Sequence, residues 1–175
     1  YSTCTSLAAS PTAYVSKRKR SPSYNASNLA ADPNIYARDG LTGTPLSDSN
    51  AAVGLNHIVM VLNNAANATL VVVLDKILLT EAALFELGSL GEPGSNCSSP
   101  RGSAQVLWDY AAQRWVPLEL GALDSFQVCL YISNDVDPTT TTWRAFVYTM
   151  PFTEAAFGAP VLSVWGDVYG LSFRG

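Results

Sequence analysis

The stretch HIVMVLNNAANATLVVVLDK, residues 57–76, decides how the rest of the chain is read. Two apolar runs, HIVMVL and TLVVVLDKILL, the second continuing past the stretch to Leu79, are rich in Val, Ile and Leu and are separated by the polar connection NNAANA. β-Branched residues suit a pleated, half-buried surface, so the pair predicts two antiparallel strands with Asn67 at the turn. That makes the chain β-rich from its first strongly patterned segment.

C-terminal to this pair, TEAALFELG predicts one short helix, with Thr80 as N-cap, Glu81 in the first turn and Gly88 just past the end. A Gly/Ser-rich loop, 89–103, follows. SAQVLWDY, QRWVPLEL, DSFQVCLYIS and TTWRAFVYTM then predict four strands, and WDYAAQRW a hairpin around Ala111 and Ala112. In the third of these strands Phe126, Val128, Leu130 and Ile132 share one face, with Gln127, Cys129 and Tyr131 on the other, the alternation of a half-buried strand. PVLSVW and DVYGLSFRG supply one or two closing strands. The expected fold is all-β: a jelly-roll-like β-sandwich with one short helix, over residues 55–175.

N-terminal to the pair the pattern dissolves. Residues 17–54 are rich in Pro, Gly, Asn, Asp and Ser and are expected to form an irregular linker or surface loop. Residues 1–16, YSTCTSLAASPTAYVS, carry no charged side chain and alternate with period two, as a strand with two unlike faces does. Such a segment needs a sheet to join. It can be donated to a neighbouring subunit, fold back as an edge strand of its own domain, or stay unstructured.

Composition narrows the function. The net charge is −4, and Lys17–Arg20 contribute +4 of it, so the rest of the chain is acidic, with its six other basic residues scattered singly. A dispersed basic face for nucleic acid is therefore not expected. The apolar run LVVVLDKILL is broken by Asp75 and Lys76, so no membrane span is expected either. Tyr1 reads as a mature terminus left by removal of a signal peptide, or as a cloning boundary.

Three cysteines allow three pairings. Cys97 with Cys129 is the expected disulfide, because it would tie the loop GEPGSNCSSPRG to a core strand; three reduced core cysteines are the alternative. Asn25, Asn67 and Asn96 stand in glycosylation sequons at turns or loops.

Catalytic patterns are sparse. His57 is the single histidine and has no GxSxG elbow beside it, CxxC does not occur, and no phosphate-binding glycine loop is present, so no enzyme is expected. Asn134, Asp135 and Asp137 in SNDVDP offer half of a calcium site, which Asp124 would help complete; an ordinary Asx turn is the alternative.

HIVMVLNNAANATLVVVLDK, LELGALDSFQVCLYISND and APVLSVWGDVYGLSFRG together resemble the strand pattern of archaeal extracellular filament subunits of the cannula and bundling-pilus type, related to bacterial TasA-type biofilm matrix fibres. The resemblance covers residues 55–175 and lies in the order of elements. It implies a secreted jelly-roll subunit that forms a helical homopolymer by donor-strand complementation, one subunit's N-terminal strand completing the next subunit's sheet, with lateral bundling of filaments. The alternating tail is compatible with this, since main-chain bonds would give affinity and alternate side chains register. Leu7, Ala9, Pro11, Ala13 and Val15 are the expected inserted face. The rival expectations are a viral jelly-roll capsid or tail protein and a monomeric carbohydrate-binding sandwich displaying Trp108, Trp115, Trp143 and Trp165.

Overall fold

The structure, a computed structural model, describes residues 13–16 (backbone only), 49–63, 68–122, 126–150 and 160–173. Leu7, Ala9, Pro11, Asn25, Asn67, Asp124, Cys4 and Lys17–Arg20 lie outside the described residues.

All strands among the described residues pair antiparallel. One four-stranded sheet contains β2 (Asn50–Val53), β3 (His57–Asn63), β4 (Thr69–Asp75) and β5 (Glu81–Glu86), in that order. The second sheet runs β1 (Ala13–Ser16), β9 (Trp143–Thr149), β8 (Gln127–Ser133), β7 (Arg114–Leu120) and β6 (Gly102–Asp109). A separate hairpin pairs β10 (Pro160–Trp165) with β11 (Val168–Phe173). Apart from β1, consecutive strands are neighbours within each sheet. This is a pair of meanders, whereas a jelly roll sends successive strands to opposite sheets.

The expected hairpin at 57–76 is present, with His57 opposite Asp75 and Asn63 opposite Thr69. Three expectations need correction. The segment read as a helix is β5, followed by a single 3-10 turn at Leu87–Leu90. Ala, Leu and Glu favour helix only weakly, and pairing of Ala83, Leu84 and Phe85 with β4 outweighs that preference. The domain also starts earlier than residue 55, because Asn50–Val53 pairs with β3. Finally, β4 ends at Asp75, where a turn begins, so Ile77, Leu78 and Leu79 are not strand residues.

Two cores follow from the alternation along the central strands. Val59, Val61, Val71 and Val73 meet Val106, Trp108, Trp115, Tyr131 and Trp143 between the two sheets. The alternate residues Val116, Leu118, Leu120, Val128 and Leu130 form a second core with Leu162, Tyr169 and Leu171 of the β10–β11 hairpin. β8 is thus buried on both faces, because that hairpin covers the face a two-sheet sandwich would leave to water.

Gly54 shows how tightly the sheets meet. A Cβ there would stand 2.5 Å from Cζ2 of the fully buried Trp115, whose ring packs 4.7 Å from that of Trp108. Gly54→Ala should therefore cost about 1–3 kcal/mol through overpacking, read as a lowered urea midpoint. An unchanged midpoint would mean that the tryptophan pair yields freely.

Candidate functional site

The two outer edges of the five-stranded sheet differ. At the β6 edge, Asn50 Oδ1 accepts the Val106 N–H at 2.9 Å, and Gln105 Oε1 accepts the Leu162 N–H at 2.9 Å. β6 is also irregular between Gly102 and Gln105, with Ser103 at φ 55°. Side chains and a bulge thus occupy this edge, as in sheets that resist further pairing. The β9 edge instead takes a strand. Ala13, Tyr14, Val15 and Ser16 stand opposite Phe146, Ala145, Arg144 and Trp143 of the same chain. Ala13 and Val15, two of the expected donor residues, are therefore paired in β1, along an edge whose Trp143 and Ala145 are buried.

β1 ends at one pole of the molecule. There the chain turns between β2 and β3, β4 and β5, β6 and β7, and β10 and β11. The turns are held together: the Tyr110 hydroxyl donates to Val53 O at 3.4 Å, the Lys76 ammonium to Gly54 O at 3.0 Å, and the Tyr169 hydroxyl to Asp109 Oδ2 at 2.7 Å. Burial and the Asp109 carboxylate both push the Tyr169 hydroxyl's pKa up, so it remains a donor.

This pole is apolar on its outside. Ile77, Leu78 and Leu79 are 88%, 71% and 62% exposed, and Trp165 is 87% exposed. Val53, Leu55, Tyr110 and Val168 are exposed on the adjoining turns. Of the nine large hydrophobic side chains exposed among the described residues, only Val161 lies elsewhere. The β4–β5 turn is firmly built: Asp75 Oδ1 accepts the N–H groups of Ile77 and Leu78 at 2.8 Å each, and Asp75 O accepts that of Leu79. Those bonds hold the Asp75 carboxyl below its usual range. Nothing in the sequence pattern separates this patch from β4, because KILL prolongs the apolar run of LVVVLD.

The SNDVDP loop lies at the same pole. Asp137 Oδ1 accepts the Thr139 N–H and hydroxyl at 2.8 and 2.6 Å, Asp135 Oδ1 accepts the Val136 N–H at 2.6 Å, and the Asn134 amide donates to Thr142 Oγ1 at 2.6 Å. His57 Nε2 is 4.0 Å from Asp137 Oδ1. The Asp137–Thr139 bonds form an Asx turn. Among the described residues no three His, Cys, Asp or Glu side chains gather as metal ligands. The tryptophans do not form a platform either, since Trp108, Trp115 and Trp143 are buried and Trp165 stands alone in exposure.

Toward the opposite pole the molecule buries a carboxyl that sequence reading passed over. Glu119 is fully inaccessible, and its Oε1 is 2.8 Å from the Tyr131 hydroxyl, which is also 3.2 Å from Cys97 O. Cys97 and Cys129 are disulfide-bonded, joining the 89–101 loop to β8 directly opposite Glu119. Thr69 donates its hydroxyl to Asn63 Oδ1 at 3.2 Å, and among the described residues Glu119 Oε2 has no hydrogen-bond partner. Burial pushes the Glu119 carboxyl up to about 8, opposed only in part by the Tyr131 hydroxyl. One phenolic proton cannot serve two acceptors. A neutral Glu119 resolves this by donating to Tyr131, whose own proton goes to Cys97 O. Asn96, beside the disulfide, is exposed, and its amide donates to Gln127 Oε1 at 3.0 Å.

The fold defines an all-β protein of two facing antiparallel sheets with an added hairpin. No family model, curated protein or solved structure matches this chain. Among the described residues no helix is long and apolar enough to cross a membrane.

Proposed function

We propose that the chain is a structural, non-enzymatic subunit of an extracellular filament and polymerises head-to-tail by donor-strand complementation. The observation that carries this reading is the β9 edge, which takes the strand Ala13–Ser16 while at the opposite edge of the same sheet Asn50 accepts the Val106 N–H and Gln105 reaches out to bond Leu162 of β10. The 33 residues 17–49 separate that strand from β2. Fully extended they span roughly 110 Å, enough for the tail to reach the same slot on another copy. A tail in a neighbour's slot makes a heterologous contact, which propagates without closing. The Cys97–Cys129 disulfide supports an oxidising, extracellular setting.

Ala13 and Phe146 are Cα partners, so cysteines at both positions report whose tail fills the slot. In the full chain carrying Cys4→Ser, Ala13→Cys and Phe146→Cys, oxidation should give a ladder of covalent oligomers, and negative-stain electron microscopy should show filaments. A cross-linked monomer and a field of single particles would mean that the tail folds back on its own domain, and the filament reading would fail.

A further inference from the structure

We propose that Thr69 and Asn63 form a site of self-modification, at which the threonine hydroxyl displaces ammonia from the asparagine side chain and leaves an ester bond between β3 and β4, with Glu119 as the base. The proposal goes beyond the donor-strand reading and does not depend on it.

Three buried polar side chains from the two sheets meet here. Asn63 ends β3 and Thr69 begins β4, directly opposite one another, and both are buried. The Thr69 hydroxyl donates to Asn63 Oδ1 at 3.2 Å, so the nucleophilic oxygen and the amide it would attack are already in contact. Because Oδ1 is bonded directly to Cγ, a turn of the amide about its Cβ–Cγ bond brings Cγ to the hydroxyl without moving either strand, and reacting atoms about 3–3.5 Å apart are poised to react. Gly102, the first residue of β6, backs that amide: a Cβ there would stand 3.2 Å from Asn63 Cγ. The third group comes from β7. Glu119, fully inaccessible, lies against the Thr69 hydroxyl, which therefore has one proton and two acceptors in reach. That proton is spent on Asn63, and Glu119 Oε2 is left without a hydrogen-bond partner among the described residues. A buried carboxyl oxygen left unpaired is costly, and such exceptions gather where chemistry is done.

The step balances within the three side chains. When Glu119 is ionised, Tyr131 donates to its Oε1, and Oε2 is the free basic position. Oε2 takes the Thr69 proton as Oγ bonds to Asn63 Cγ. The tetrahedral centre then collapses, the Cγ–Nδ2 bond breaks, and the nitrogen takes the proton from Glu119 and departs as ammonia. One C–N bond is exchanged for one C–O bond, nothing is oxidised or reduced, and Glu119 ends as it began. Burial makes this carboxylate a stronger base than an exposed one, and the same dry surroundings keep water from hydrolysing the product. The ester closes the β3–β4 hairpin at its mouth, so a pull along β3 passes to β4 without entering residues 64–68.

The test is the mass of the full chain, denatured after storage in the folded state at pH 7. It should be lighter than the sequence by one ammonia, besides the two hydrogens lost at the Cys97–Cys129 disulfide. Hydroxylamine, which cleaves esters, should add once to the denatured chain. Thr69→Ser keeps the hydroxyl and should also lose ammonia, whereas Thr69→Val keeps the shape without it and should retain the full mass. Glu119→Gln should lose ammonia about a hundred-fold more slowly or not at all, the scale of a removed general base. A parent chain of full mass overturns the proposal. Equal loss from Thr69→Val also overturns it, since the asparagine would then have closed on its own backbone as a succinimide. Loss from Glu119→Gln at the parent rate removes Glu119 from the reaction and overturns the mechanism.

Discussion

Raising the pH from 5 to 9 should weaken the folded protein steeply, and Glu119→Gln should abolish most of that loss. The Glu119 carboxyl is lifted from 4.5 to about 8 by burial. Below pH 4.5 it is protonated in both the folded and unfolded chains and contributes no pH dependence. Between 4.5 and about 8 the folded chain holds a proton that the unfolded chain has released. Unfolding free energy then falls with rising pH, by about 1.4 kcal/mol per unit, for a total on the order of 5 kcal/mol. Above pH 8 both forms are ionised and the loss is complete.

The aspartates oppose this on the acid side. Asp109 and Asp137 are held below 3.8 by hydrogen bonds that outweigh their partial burial, so their stabilisation is present above pH 3.8 and disappears as pH falls through the lowered values. Stability should therefore peak near pH 4 to 5. Glutamine at 119 can donate to the Tyr131 oxygen as the neutral acid does, but its second amide N–H is left buried without an acceptor, a cost of about 1–3 kcal/mol. The variant should be weaker than the parent at pH 5 and stronger at pH 9. Denaturant midpoints at pH 5, 7 and 9 decide it, and parallel curves for the two proteins would show that Glu119 is not what titrates.

Glu119 also marks the limit of what the sequence disclosed. The strands of 102–149 were legible because their alternation is regular and their turns carry Asp, Gly or Ala pairs. The position of Glu119 on β7 was readable from that pattern, but its complete burial was not. It depends on Thr69 from the facing sheet and on the loop that the disulfide holds over it, and neither neighbour is local in sequence. The same holds for β5, where Ala82, Ala83 and Leu84 carry a helix preference of a few tenths of a kcal/mol each, overridden by pairing with β4. The third layer was hidden for a related reason: PVLSVW and DVYGLSFRG announce strands but not which face they cover. The apolar pole was obscured by Asp75, whose carboxylate ends a strand that the following Ile-Leu-Leu would otherwise prolong.

Removing the Cys97–Cys129 bridge should be the second large effect. The bridge closes 32 residues, and for a loop of that size the chain-entropy model gives about 4 kcal/mol of stabilisation. Two local consequences add to it. Cys97 O is an acceptor for Tyr131, and Asn96 O accepts the Ala122 N–H, so a released loop would disturb both bonds. Gly88 and Gly91 lie so close to Pro100 and Cys97 that a Cβ at either would stand 2.9 Å from them, which shows that the loop packs directly on the 3-10 turn. With both cysteines replaced by serine, the denaturant midpoint at pH 5 should drop by the equivalent of about 4 kcal/mol. Water reaching Glu119 through the loosened loop should also lower its carboxyl toward the ordinary range, so the pH slope above 5 should shrink in the same variant. A lost midpoint with an unchanged slope would mean that the loop stays seated over Glu119 without its covalent tie. The two measurements thus separate the entropic role of the bridge from its role in keeping the buried acid dry.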